Sequence, residues 1–395
     1  MNRFVNAMWR VWARVDTWFN KVYPQDYNPM YYLGGLANLL FWLVIGSGIL
    51  LFLYYKPSLL HAYESVEFLT TRVPYGQAIR GLHRYSADAM VVWVVLHFLR
   101  VWLTDRYRKF RTIAWISGIV LLVLTLTVGV AGYLLVWDER SLLLVRMTQW
   151  MVGGEQSYLG QLLVGGSKIT DATLNRFLFF HIGMPFLMLF FLWMHYIRIN
   201  RPVVYPPAPV TLQAFGIVFI VCGVVPTVSM APAIIEVVPK QMQIDWFFQW
   251  GYWLAGVFAG AAGANSGVAP YVVWSIGLLL VTCLFFALPY VTQTGYMNVV
   301  KVIPEKCTGC EYCYVDCHAN AIKMITTPEG INSKGGKRSI AEILPSRCAE
   351  CGICVGACPF GAIELPQLQE IEIKDRIGLI ANLPAPEPAA SPAAD

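Results

Sequence analysis

Residues 80–100 read RGLHRYSADAMVVWVVLHFLR. From Ala89 onward the stretch is almost wholly apolar, yet it holds His97, and His83 lies 14 residues earlier. A helix turns about 100° per residue, so 14 steps fall about 40° short of four turns and both imidazoles share one face. At about 1.5 Å per residue they stand roughly 21 Å apart along the axis. A second stretch repeats the design. ATLNRFLFFHIGMPFLMLFFLWMH (172–195) carries His181 and His195 at the same spacing. The chain has six histidines, so four of them in two matched pairs need a common cause.

The composition gives the setting. Of 395 residues 57% are hydrophobic and 13% charged, about half the charged share of a soluble domain. Mean hydropathy is +0.53. This is the profile of a polytopic membrane protein. Six apolar stretches approach or exceed the length of about 20 residues that spans a bilayer: roughly 31–55, 84–104, 112–137, 177–199, 210–230 and 271–291, denoted A to F. The net charge of +5 is small for this length. It fits a bias of basic residues in loops and gives no reason to expect a nucleic-acid partner. The B–C loop holds Arg100, Arg106, Arg108, Lys109 and Arg111 against Asp105. The N-terminal segment is also basic, so both are expected in the cytoplasm. Six spans then return the C-terminus to the same side. No cleavable signal peptide is expected at the N-terminus.

Paired imidazoles on facing helices can clamp an iron axially. With B facing D, His83 pairs with His181 and His97 with His195, which predicts two haems stacked across the membrane. The alternative for a histidine in a membrane helix is an interhelical hydrogen bond, but ionisable groups there are costly and usually functional. On helices A and C, Gly34 and Gly48 are 14 apart, as are Gly118 and Gly132. Glycine at these positions would let a flat macrocycle approach the backbone. The chain has no CxxCH motif and no cysteine before Cys222, so the haems are expected to be non-covalent.

Eight of the ten cysteines fall between 307 and 358. The first run, CTGCEYCYVDC, contains Cys307, Cys310, Cys313 and Cys317; the second, CAECGICVGAC, contains Cys348, Cys351, Cys354 and Cys358. Both are the C-x2-C-x2-C-x3-C run of bacterial two-cluster ferredoxins, in which the fourth cysteine ligates the other cluster. One 4Fe–4S cluster is therefore expected on Cys307, Cys310, Cys313 and Cys358, the other on Cys348, Cys351, Cys354 and Cys317. A zinc site would use four ligands, not eight in interleaved spacing. His318 follows Cys317 and reads as a surface or nearby supporting histidine before a ligand. Cys222 and Cys283 sit singly in apolar runs and read as buried thiols. Thiolate ligands also place this segment in a reducing compartment.

Residues 1–290 resemble cytochrome b of the bc and bf quinol-oxidising complexes. The likeness is carried by the two histidine segments above and by GYLLVW (132–137) at the end of helix C. The resemblance implies that Arg80 and Arg100 lie near haem propionates. It also maps the family's outer quinol-site motif, Pro-Glu-Trp-Tyr, onto IDWFFQWGYW (244–253). Asp245 would replace the glutamate and take a quinol proton, while Phe247 would replace the tyrosine. The alternative is that Asp245 and Trp246 mark the membrane interface. Val136 stands where the family has a proline, and the family's last two helices are replaced by the cysteine-rich module.

The expected fold class is an all-α polytopic domain, a di-haem four-helix bundle plus two helices, joined to a small α+β ferredoxin-like domain. Its expected parts are an interfacial amphipathic helix (1–25), a di-haem core (26–205) and helices E and F with the quinol-site-like loop (206–291). A linker (292–304), the cluster domain (305–375) and a disordered Ala/Pro-rich tail (376–395) follow. The reading is a membrane electron-transfer subunit linking quinol or quinone, two b haems and two cytoplasmic clusters. A quinone-reducing subunit fed by a cytoplasmic dehydrogenase or ferredoxin, or a conducting anchor without a quinone site, are the alternatives. Expected partners are lipid, quinone, a Rieske-type or c-type protein outside, and a dehydrogenase or ferredoxin inside. The assembly admits a homodimer. The expected location is a bacterial or archaeal cytoplasmic membrane with both termini in the cytoplasm.

Overall fold

The computed structural model describes residues 3–24, 27–103, 107, 111–199, 203–237, 245, 247–254, 257, 270–291, 300–317, 321–331, 337–344, 348 and 352–365. The expectations on Asp105, Arg106, Arg108, Lys109, Trp246, His318, Cys351, most of the linker and the tail lie outside these residues. The chain divides into two compact units, Met1–Thr292 and Gln293–Asp395.

In the first unit α1 (Arg3–Val22) is amphipathic, with Trp12 buried and Trp18 exposed. After a short 3-10 turn (Pro29–Tyr32), α2 (Leu33–Phe52) begins. It is followed by α3 (Ala62–Arg72), α4 (Gly76–Leu103), α5 (Thr112–Val136) and α6 (Glu139–Met151). Then come α7 (Tyr158–Val164), α8 (Asp171–Ile197), α9 (Ala208–Val224) and α10 (Pro270–Val291). Among the described residues four segments are long and apolar enough to cross a membrane: Pro29–Phe52, Gly76–Leu103, Thr112–Val136 and Asp171–Ile197. They carry stretches A to D. The helices of B and D start six to eight residues before their apolar stretches, because helix formation tolerates the polar first turns that hydropathy excludes.

Stretch E is shorter than expected. Helix α9 has 17 residues and stops at Val224, since Val225 precedes Pro226 and takes an extended conformation; a residue before proline is disfavoured in the α region. Three helices, α3, α6 and α7, are too polar or too short to appear in a hydropathy scan. Each joins the spans at one end of the bundle.

The bundle is built from two intimate pairs, α2 with α4 and α5 with α8. One core cluster joins Leu40, Phe41, Met90, Met188 and Cys222; another joins Val91, Tyr133, Trp137, Leu142, Leu174, Phe177, Phe248 and Tyr252. Trp137 ends α5 in the left-handed region (φ 57) and is fully buried. Asp138 then caps α6 by accepting from Ser141 N at 2.9 Å, while its other oxygen accepts from Met230 N at 3.1 Å. That cap ties the segment after α9 to the end of α5. Cys222 is buried as expected, but Cys283 is exposed; it sits on α10, whose side chains around it face outward.

The second unit contains two two-stranded antiparallel sheets and two single-turn helices, α11 (Tyr312–Asp316) and α12 (Ile353–Ala357). Strand β1 (Lys301–Val302) pairs with β4 (Ile363–Glu364), and β2 (Ile322–Ile331) with β3 (Lys337–Ile343). The first pairing joins the chain before the first cysteine run to the chain after the second. Ile303 N extends it by donating to Ala362 O at 2.8 Å. Leu344 N donates to Ala321 O at 2.7 Å, so the end of the first run also meets the start of the second.

Candidate functional site

The four histidines of the bundle form two facing pairs. The ring centres of His83 and His181 are 6.1 Å apart with planes at 66°, and those of His97 and His195 are 6.3 Å apart at 70°. Two metal–nitrogen bonds of about 2.0–2.1 Å, plus about 1.1 Å from each nitrogen to its ring centre, separate opposed imidazole centres by about 6.3 Å. The spacing fits one iron between each pair.

The rings are oriented from behind. His83 Nδ1 meets Val44 O at 3.0 Å and Ser47 Oγ at 3.2 Å. His181 Nδ1 meets Val128 O at 3.0 Å, and His195 Nδ1 meets Ser117 Oγ at 3.1 Å. Each serine hydroxyl already donates to its own helix, Ser47 to Leu43 O at 2.7 Å and Ser117 to Ala114 O at 3.0 Å. In all three histidines Nδ1–H is therefore the donor, and Nε2 keeps the lone pair needed for a metal. Donation of the second ring N–H to a carbonyl is the usual support of a ligating histidine.

The four glycines lie against the four imidazoles. A Cβ would come 3.2 Å from His97 Cε1 at Gly34, 3.1 Å from His83 Cε1 at Gly48, 3.2 Å from His195 Cε1 at Gly118 and 2.9 Å from His181 Cε1 at Gly132. Each glycine thus makes room for the imidazole of the neighbouring helix. Two of the acceptors above, Val44 O and Val128 O, lie one turn before Gly48 and Gly132. The matching carbonyl before Gly34, Met30 O, instead accepts from Arg100 Nη1 at 2.8 Å.

Arg100 also lies 5.0 Å from the Tyr31 ring centre. Arg80 donates to Thr70 Oγ1 at 2.9 Å and Ser229 Oγ at 2.7 Å, and pairs with Glu67 at 3.3 Å. Both arginines are thus held by protein groups.

Asp245 is buried and heavily bonded. Oδ2 accepts from the Arg84 guanidinium and the Tyr133 hydroxyl. Oδ1 accepts from Phe247 N at 2.7 Å and Phe248 N at 3.4 Å. Asp245 N donates to the Gln249 side chain at 3.2 Å. Arg84 lies 4.4 Å from the Tyr133 ring centre and makes a second ion pair, from Nε to Asp88 Oδ2 at 3.2 Å. Arg84, Asp88 and Tyr133 did not emerge from the sequence reading. Their signal was present: an arginine and an aspartate at i, i+4 in a membrane helix. Near them Tyr252 is buried and bonds Thr148 at 2.8 Å.

In the second unit Cys307, Cys310, Cys313 and Cys358 line one pocket, closed by Gly309, Met324, Ala341 and Ile363 among others. Burial and the neighbouring thiols Cys307, Cys358 and Cys310 push the Cys313 thiol up to about 11. A buried thiol that is crowded by three others and resists ionisation calls for a cationic centre to hold it as a thiolate. Cys358 reaches this pocket because β1 pairs with β4. Ala321 N donates to Cys317 Sγ at 3.2 Å and Ala362 N to Cys358 Sγ at 3.3 Å, so the last cysteine of each run is held in the same way. Glu311 and Gly352, equivalent in the two runs, both start their helices from the left-handed region (φ 67 and 75). A Cβ on Gly309 would meet Ser339 O at 2.4 Å, which excludes any side chain there.

These two sites agree with what comparison finds. Residues 18–202 match the family model "Cytochrome b/b6/petB", and residues 306–362 match a "4Fe-4S dicluster domain". Cytochrome b6 of Synechococcus sp. (strain CC9605) is 36% identical over 188 residues, 46% of this chain and 85% of the relative. The chain belongs to the cytochrome b/b6 family. Cytochrome b6 of Prochlorococcus marinus (strain NATL1A) is likewise 36% identical, over 46% of this chain and 85% of the relative. A solved chain described as "Hyperthermophilic respiratory Complex III" shares the fold, with TM-score 0.55 and 20% identity over 66% of this chain and 75% of that one. This member of the cytochrome b/b6 family is thus an integral membrane electron-transfer protein, and its two matched domains imply haem b and iron–sulfur clusters.

Proposed function

We propose that the chain is the membrane electron-transfer subunit of a bc-type quinol-oxidising complex, with two b haems and two 4Fe–4S clusters. The observation that carries this reading is the pair of facing imidazole couples 6.1 and 6.3 Å apart. His83 and His181 would hold the outer haem, and His97 and His195 the inner one. The haems and clusters supply one-electron carriers when bound; the residues of the chain hold, orient and insulate them. Ser47, Ser117 and the Val44 and Val128 carbonyls fix the imidazole tautomers. Cys307, Cys310, Cys313 and Cys358 would hold one cluster, and Cys348, Cys351, Cys354 and Cys317 the other.

Stretches E and F are read as two further spans. The basic B–C loop and even span count then place both termini in the cytoplasm, and the clusters with them. At the outer face Asp245 is the group proposed to accept a quinol proton, as a positioned carboxylate can. Arg84 and Tyr133 aim it, and a quinol proton would have to displace one of their bonds. Partner redox proteins on both faces would complete the complex, and a homodimer is compatible with the wide apolar outer surface of α8.

The test has two arms. Pyridine haemochrome analysis of the purified protein should give two acid-acetone-extractable haems per chain; a ratio of one would refute the ligand assignment. Asp245→Asn should slow quinol-driven haem reduction at normal haem content. Unchanged kinetics would favour the conducting-anchor reading, in which catalysis lies in partner proteins.

A further inference from the structure

The Asp245 cluster contains one carboxyl more than its guanidinium can neutralise. Among the described residues the ion pairs of both Asp88 and Asp245 go to Arg84. Their side chains are 10% and 7% exposed. The two are not equivalent. Asp245 accepts from four donors, on both oxygens. Asp88 has Arg84 Nε on Oδ2, while its Oδ1 is buried with no hydrogen-bond partner among the described residues.

The surroundings add no compensating contact. Helices α2 and α9, both packed on α4, contribute no charged side chain. The titratable groups nearby are Tyr85 on α4, Cys222 on α9 and Tyr133 on α5. On α3, Glu67 is engaged with Arg80 and Ser229. Arg140 of α6 lies 5.7 Å from the Tyr133 ring centre, and neither carboxylate pairs with it. Two buried carboxyls sharing one cation cannot both ionise cheaply. The member with more hydrogen-bond donors, Asp245, is the one whose negative charge the surroundings stabilise. Gln249, fully buried beside Asp245, also keeps an unpartnered Nε2. Buried polar atoms without partners mark sites that take up water or a polar ligand.

We propose that Asp88 is a proton-holding carboxyl which shares Arg84 with Asp245, so that the pair carries one exchangeable proton at neutral pH. The idea deepens the outer-site reading of Asp245 and takes its purpose from that reading. A proton landing on Asp245 frees Arg84 for Asp88, which then gives its own proton to water, so one proton enters as another leaves and the site never holds two negative charges. The existence of the shared proton is testable with no quinol present.

Infrared spectra of the full-length, haem-loaded protein, recorded in H2O and D2O around pH 7, read the proton as a carboxylic-acid carbonyl band that shifts on deuteration. The wild type should show it and Asp88→Asn should lose it. Asp245→Asn should lose it too, because Asp88 then has Arg84 to itself and ionises. Asp88→Glu should keep the band at a moved position, which also decides the matter if Asp88→Asn fails to assemble. A band unchanged in Asp88→Asn, or unmoved in Asp88→Glu, overturns the assignment. A band that survives Asp245→Asn overturns the sharing. If the bands behave as expected while quinol-driven haem reduction in Asp245→Asn is normal, the shared proton stands and the outer-site reading falls.

Discussion

Gly132→Ala is the sharpest probe of the haem assignment, because the new methyl would lie 2.9 Å from His181 Cε1. Carbon atoms pack best at about 3.5–4.0 Å, so the contact is short by more than about 0.6 Å. The ring cannot simply retreat. Its Nδ1 is bonded to Val128 O, one turn back on the same helix as the glycine, and its other nitrogen would be committed to the iron under the proposed ligand set. Overpacking of this kind costs about 1–3 kcal/mol, or roughly 5- to 150-fold in retention of the His83–His181 haem at about 1.4 kcal/mol per tenfold. Alanine's better helix propensity, worth about 1 kcal/mol over glycine, offsets part of any loss of global stability but not of ring position. Gly34→Ala, Gly48→Ala and Gly118→Ala meet their rings at 3.1–3.2 Å and should do less harm. Gly46→Ala is the control, since a Cβ there meets nothing within 4 Å. The assay is haem per chain by pyridine haemochrome, with reduced-minus-oxidised spectra to show which haem is lost. Equal, full haem content in the Gly132 and Gly46 variants would refute the reasoning.

His97→Leu should leave one haem per chain, with the His83–His181 haem retained; loss of both would show that the sites assemble as one. Cys358→Ser should abolish one cluster signal in the EPR spectrum of the reduced protein although Cys358 lies 41 residues beyond Cys317, and an unaffected pair of signals would refute the interleaved ligand set. A reporter active only outside the cytoplasm, fused after residue 375, should stay silent; activity would overturn the topology. Cys351→Ser should slow haem reduction when the clusters of the isolated chain are reduced by a low-potential donor, and an equal rate would show that the cluster and haem branches are separate.

Much of the membrane unit was legible because its constraints are periodic. A 14-residue interval fixes a helix face, so the pairing of His83 with His181 and of His97 with His195 could be read without coordinates. What lay behind the rings could not. Ser47 and Ser117 look like ordinary helix hydroxyls, and only the packing of α2 on α4 and of α5 on α8 brings them to Nδ1. The glycines were found by their interval, but the imidazoles they lie against were not, because spacing tells which face a residue occupies and not what presses on it. Hydropathy missed α3, α6 and α7 for a similar reason. The starts of α6 and α7 are marked by caps, Asp138 with Ser141 and Ser157, which an apolar window does not register. Arg84 and Asp88 were hidden inside a stretch read for its apolar length.

The cysteine-rich unit shows how a linear motif becomes a three-dimensional ligand set. The first run supplies three thiols from a short loop and single-turn helix, a length that can wrap one side of a cluster. The last thiol of each run lies past its helix, Cys317 after α11 and Cys358 after α12, so in the proposed interleaved set it needs a partner site. Pairing β1 with β4 supplies it: the strand leading into Cys307 is bonded to the strand leaving Cys358, and four thiols from both runs reach a single pocket. The Leu344–Ala321 hydrogen bond repeats the device between Cys317 and Cys348. The proposed interleaving would therefore follow from strand pairing. It would also mean that neither half of this unit could complete a cluster alone, so that the two sites would form in a chain whose ends are already joined.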